Sequence, residues 1–347
     1  MDENNSQIYQ TQFDDEANFN NSSYYQAPPD NRITEKTELR RTSNIIGGAL
    51  LVLVAFTNLW GYVFYFVMGK IGYTAQEAYK LVSEPAIMQC VQIAISMFLF
   101  TVPFIFAARN GGYNINELVK FKKVDRQKGF YYFLAGTAFC ILANLIVAQI
   151  GNFLQNIGIS YDVNMGENPK GFFGFVLAFL ATAVLPAFVE EFACRGVVFG
   201  MLRKFGAGFG IVASALIFGF MHGNFEQMPF TFLVGLILAY IAVKTGSLVV
   251  SVAVHFMNNF ISVAFVYFFG IFTDDIQNVI GIVLYSTILI LGIISFVKLS
   301  DMGEDFKIEK AETKLKEKEK IVVFATSPTI IIFFIACLIE AVSFFFK

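Results

Sequence analysis

Glu190, Glu191 and Arg195 stand in LPAFVEEFACRGVVFG, a stretch otherwise composed like a membrane-crossing helix. An ionised side chain placed centrally in a bilayer costs about 2.5–3.5 kcal/mol on insertion scales, so such residues mostly face a bundle interior and carry function. The same class of residue recurs at His222 and at His255 with Asn259, and these are the only two histidines of the chain. Helical geometry separates the two glutamates. Glu191 and Arg195 are four apart, with the glutamate on the N-terminal side, so they share a face and can neutralise each other. Glu190 is turned by about 100° from Glu191 and has Cys194 as its i+4 neighbour. It is the carboxylate without an intrahelical cation, suited to general acid or base work. A purely structural clamp of both glutamates on Arg195 is the competing reading. His255 and Asn259, four apart in HFMNNF, offer two hydrogen-bond donors on one face. They read either as an oxyanion stabiliser or as interhelical glue.

Depth brings these groups together. With helix ends near Lys204, Gly208 and Thr245, Glu190, His222 and Asn259 lie about 21 Å from one membrane face and His255 about 15 Å. A carboxylate, two imidazoles and an amide in one layer can activate a water and hold an oxyanion.

The elements that must position them are long apolar blocks. Hydrophobic residues make up 56% of the chain and charged ones 15%, against about a quarter charged in soluble domains, and the mean hydropathy is +0.60. Most blocks reach the roughly 20 residues needed to cross a bilayer. They lie near 44–68, 86–108, 129–152, 171–199, 209–222, 228–243, 247–269, 277–297 and 321–346. The fold expected is an all-α, polytopic bundle of about nine transmembrane helices. Of the 25 Lys and Arg, 20 fall in alternate connecting segments, 4 in the others, and Arg195 lies inside its helix. By the positive-inside rule the N-terminus is then cytoplasmic and the C-terminus external.

Four parts are expected: a disordered cytoplasmic tail over 1–43, three spans over 44–170, a core over 171–270, and two spans over 271–347 with a charged loop at 298–320. The tail is rich in Asn, Gln, Asp, Ser and Tyr, a composition too poor in aliphatic residues to pack, and it shows no signal-peptide core. The Lys/Glu run 305–320 reads as a solvated or interfacial helix. Glu340, near the far end of the last block, reads as an interfacial anchor. Cys90, Cys140, Cys194 and Cys337 are scattered singly and read as small core residues. Gly196 and Gly200 form a small-xxx-small pair suited to helix packing. A net charge of −2 makes no case for nucleic acid.

Taken together, E-E-x-x-x-R (Glu190, Glu191, Arg195), F-x-x-x-H (Phe218, His222) and H-x-x-x-N (His255, Asn259) resemble the CAAX prenyl protease and bacteriocin-processing, or abortive-infection, family of intramembrane glutamic endopeptidases. The likeness spans roughly 171–270, and HGNFEQ at 222–227 continues it. It implies peptide-bond hydrolysis in which Glu190 and His222 hold the attacking water and His255 and Asn259 the oxyanion. Glu191, Arg195 and Phe218 would support them. The substrate would be a peptide precursor or membrane protein met in the lipid bilayer, and no cofactor is implied. Four other readings compete. A zinc protease could use His222, His255 and a glutamate, although H-E-x-x-H is missing. A cysteine mechanism through Cys194 has less support. A proton-coupled transporter would use the same buried groups, but no internal repeat accompanies them. A non-catalytic immunity or scaffold protein could keep the fold alone.

Overall fold

The computed structural model describes residues 32–157 and 168–343, and among them there is no β-strand. Seven helices are long and apolar enough to cross a membrane, and a bent pair makes an eighth. The chain is an integral, multi-pass membrane protein. Its helices are α1 (Arg32–Lys70), α2 (Ala75–Ser83), α3 (Pro85–Asn110), α4 (Ile115–Leu118), α5 (Arg126–Asn156), α6 (Gly171–Phe205), α7 (Ala207–Phe220), α8 (Gln227–Thr245), α9 (Leu248–Phe269), α10 (Asp274–Asp301), α11 (Glu317–Ala325) and α12 (Pro328–Ser343).

Local chemistry sets several of these boundaries. Asp125 caps α5 by accepting from the Lys128 N–H at 2.9 Å, and Ser247 caps α9 through the Val249 N–H at 3.2 Å. Each satisfies an N–H that the first helical turn leaves without an acceptor. Gly206 breaks the chain between α6 and α7 with a φ of +123°, which a side chain would strain. Helix α6 packs closely on α4. A methyl at Gly196 would meet Val119 at 2.8 Å and one at Gly200 would meet Leu118 at 3.1 Å, as the small-xxx-small spacing predicts. Cys140, Cys194 and Cys337 are buried, but Cys90 is exposed on the bundle's outer surface.

Four expectations change. Helix α1 already starts at Arg32, so 32–43 is not tail. Leu39, Thr42 and Ser43 are buried there, and Glu35 accepts from the Lys314 N–H at 2.7 Å. The rest of the expected tail, 1–31, lies outside the described residues. The run 305–320 is not one helix, and 304–313 has no regular secondary structure. Tertiary donors take its carbonyls, which defeats helix propensity. Tyr240 donates to the Phe306 carbonyl at 2.9 Å, and the Lys244 ammonium donates to the carbonyls of Asp305 and Lys307. The block 321–346 is not one straight span, because its helix bends by 69° between Ala325 and Pro328. Proline disfavours the helical conformation of the residue before it. Finally, α7 has 14 residues and so is about 21 Å long, too short for a bilayer core of about 30 Å.

One end of the bundle gathers the basic segments. There Lys204 pairs with Glu38 at 2.5 Å and Lys128 with Glu304 at 2.6 Å, and Arg32 pairs with Glu319. Ser247 donates to the Lys122 carbonyl at 2.8 Å, and the Leu248 N–H donates to that of Lys120 at 2.9 Å.

Candidate active site

The site begins in α6, which is not a regular α-helix. Wider π-turns over Phe179–Val184 and Phe192–Val198 flank the segment Leu185–Glu191. Such turns re-aim side chains and concentrate at functional sites. Pro186 sits between them and has no N–H, so the Thr182 carbonyl loses its i+4 donor.

Glu191 is fully buried and works in two directions. Its Oε1 forms an ion pair with Arg195 Nη1 at 2.9 Å and a hydrogen bond with His255 Nδ1 at 3.2 Å. The arginine has a second support, since its Cζ lies 4.2 Å from the centre of the Phe218 ring. A guanidinium over an aromatic face is attracted by the ring's negative quadrupole. Arg195 also donates to the Gly235 carbonyl at 3.4 Å. An ionised, arginine-paired carboxylate can only accept, so His255 Nδ1 carries the proton. The other ring nitrogen, Nε2, then faces Glu190, whose Oε2 is 3.8 Å away. Glu190 is partly exposed, and of the two carboxylates it is the one open to a ligand.

His222 ends α7. Its Nδ1 is 2.7 Å from the Phe218 carbonyl, which again fixes the proton on Nδ1 and leaves Nε2 as a lone-pair acceptor. Phe218 is the hub. Its ring centroid lies 5.0 Å from that of His222 and 5.8 Å from that of His255, edge-on to both. Glu190, Glu191, Arg195, Phe218, His222 and His255 thus converge from α6, α7 and α9.

Asn259 is placed differently. Its Nδ2 donates to the Thr182 carbonyl at 2.9 Å, the acceptor that Pro186 leaves short of a donor. Asn258 Nδ2 donates to Asn259 Oδ1 at 3.0 Å, which settles the orientation of the amide. A primary amide has two N–H groups, so one remains for a ligand. Sequence reasoning missed Thr182, Pro186 and Asn258, and it missed the tie between Glu191 and His255. The proline was the available signal. It also misplaced Glu340, whose carboxylate lies against Gly223, one residue past His222. Among the described residues no group of three His, Cys, Asp or Glu side chains could hold a metal ion.

Residues 172–261 match the family described as type II CAAX prenyl endopeptidase Rce1-like. That segment holds all three motifs, so the resemblance to CAAX proteases holds over it. The comparison with curated proteins and that with solved structures each gave no match.

Proposed function

We propose that this protein is an intramembrane endopeptidase that hydrolyses a peptide bond with a water activated by Glu190 and His222. The observation that carries the reading is the convergence, inside the matched segment, of a partly open carboxylate and two imidazoles whose rings are each held at Nδ1 by a fixed partner. Glu190 takes a proton from the water while His222 Nε2 accepts its other hydrogen bond. The water oxygen bonds to the scissile carbonyl carbon, and the carbonyl electron pair moves to oxygen. The free N–H of Asn259 and a protonated His255 Nε2 hold that oxyanion, and Glu191 offsets the imidazolium charge. Collapse breaks the C–N bond, and the proton on Glu190 leaves with the amine. The substrate class is a membrane-associated protein or peptide precursor.

The test is turnover of a fluorogenic peptide library by the full chain in detergent, with and without chelator. Asn259→Ala should lower kcat about 10²–10³-fold, as loss of one oxyanion donor does, with KM little changed. Wild-type activity should survive chelation and thiol alkylation. Loss on chelation restored by zinc would favour a zinc protease. The absence of any cleavage, in a protein that still protects cells or binds a partner, would favour a non-catalytic scaffold.

We also place the N-terminus in the cytoplasm. The basic segments that alternate along the chain meet at one end of the bundle. Helices α7 and α8 form a hairpin that enters and leaves on that side, so its depth does not alter the parity of the crossings. A reporter fused after Lys347 should read as external, and a cytoplasmic reading would overturn the orientation.

A further inference from the structure

Glu340 lies far outside the matched segment, on α12. Helix α12 runs beside α7 in the same direction, since the Phe324 ring just before it packs on Phe209 at 6.0 Å and its Phe334 ring on Phe220 at 4.7 Å. Its inward face is Ile330, Phe333, Cys337 and Ala341, all buried. Counted from the break at Pro328, Glu340 lies about 18 Å along the helix. That is the layer of His222, not the far membrane surface. A carboxylate at this depth is costly unless a polar group meets it.

What meets it is the turn after His222. A methyl built on Gly223 would stand 2.8 Å from Glu340 Cδ and 3.0 Å from its Oε2. Gly223 has a φ of +66°, so the position needs glycine twice over, for its backbone and for the carboxylate. Asn224 holds the rest of the turn. Its Nδ2 donates to the His222 carbonyl at 3.0 Å, and its Oδ1 accepts from the Gln227 N–H at 2.8 Å. The turn joins the end of α7 to the start of α8, where helix N–H groups attract negative charge.

We infer that Glu340 is a positioning residue for His222: its carboxylate seats the 222–226 turn and so fixes the imidazole relative to Glu190. This rests on the reading of His222 as part of the hydrolytic site. The structural claim can be measured without turnover. The chain has two histidines, so histidine-labelled full-length protein in detergent gives two sets of ring resonances, which His222→Ala assigns.

Glu340→Gln should move the His222 resonances and speed amide hydrogen exchange over 222–226, leaving His255 in place. Glu340→Asp should give a smaller displacement of the same signals. If wild type cuts peptide, Glu340→Gln should lower kcat roughly 10- to 100-fold with KM kept, the scale of a small misplacement of a catalytic group. Moved His222 signals in a protein that cuts nothing would uphold the positioning and count against the hydrolase. Unmoved signals in a folded Glu340→Gln protein would overturn the positioning, whether or not peptide is cut. Equal movement of both histidines, or failure of both variants to fold, would make Glu340 a residue of general packing and also overturn it.

Discussion

Glu190→Gln is expected to insert and fold as the wild-type chain does and to lose peptide hydrolysis, by about 10²–10⁴-fold, the range a general base supplies. Glutamine has nearly the same shape, and Glu190 makes no buried ion pair closer than its 3.8 Å approach to His255. The substitution therefore removes a proton acceptor and little packing. Turnover of a cleaved peptide and thermal unfolding in detergent, read on one preparation, separate the two effects. Wild-type turnover in Glu190→Gln would place the base elsewhere. Glu191 could not take over, because it is fully buried and held in an ion pair with Arg195.

Glu191→Gln should behave in the opposite way and damage the fold. Breaking a buried pair by removing one partner costs about 3–5 kcal/mol, because the remaining charge is left uncompensated. Arg195 is only 2% exposed. Lower yield and a lower unfolding temperature are the expected readout. Replacing the pair together, as Glu191→Leu with Arg195→Met, should recover much of the stability, since apolar replacement of a whole buried pair is often neutral or better. Hydrolysis should not return with it, because His255 Nδ1 would have lost its acceptor. A folded, inactive Glu191→Gln beside an active Glu190→Gln would reverse the roles assigned to the two glutamates.

Much of the site was legible because it obeys helical periodicity. Glu191 and Arg195 are four apart and do pair. Phe218 and His222 are also four apart, and the histidine bonds back to the phenylalanine carbonyl. For His255 and Asn259 the same spacing left their partners open. An i, i+4 relation puts two side chains on one face, but what each meets depends on the neighbouring helix. There His255 met the Glu191 carboxylate, and Asn259 met the Thr182 carbonyl that Pro186 leaves short of a donor. The helix propensity of 305–320 failed for a related reason, since Tyr240 and Lys244 offered its carbonyls stronger partners than a helix would.

Composition, apolar block length and the alternation of basic segments determined that this chain is a multi-helix membrane protein with a few polar groups at one depth. Those properties follow from the cost of burying charge and unpaired backbone in lipid, which each segment meets by itself. Only the tertiary structure decided which glutamate orients His255, which carbonyl claims Asn259, and that Glu340 stands beside the His222 turn. Those pairings join residues far apart in the chain, from Glu191 to His255 and from Gly223 to Glu340. No local spacing encodes them, because they depend on which helices pack together and in what register.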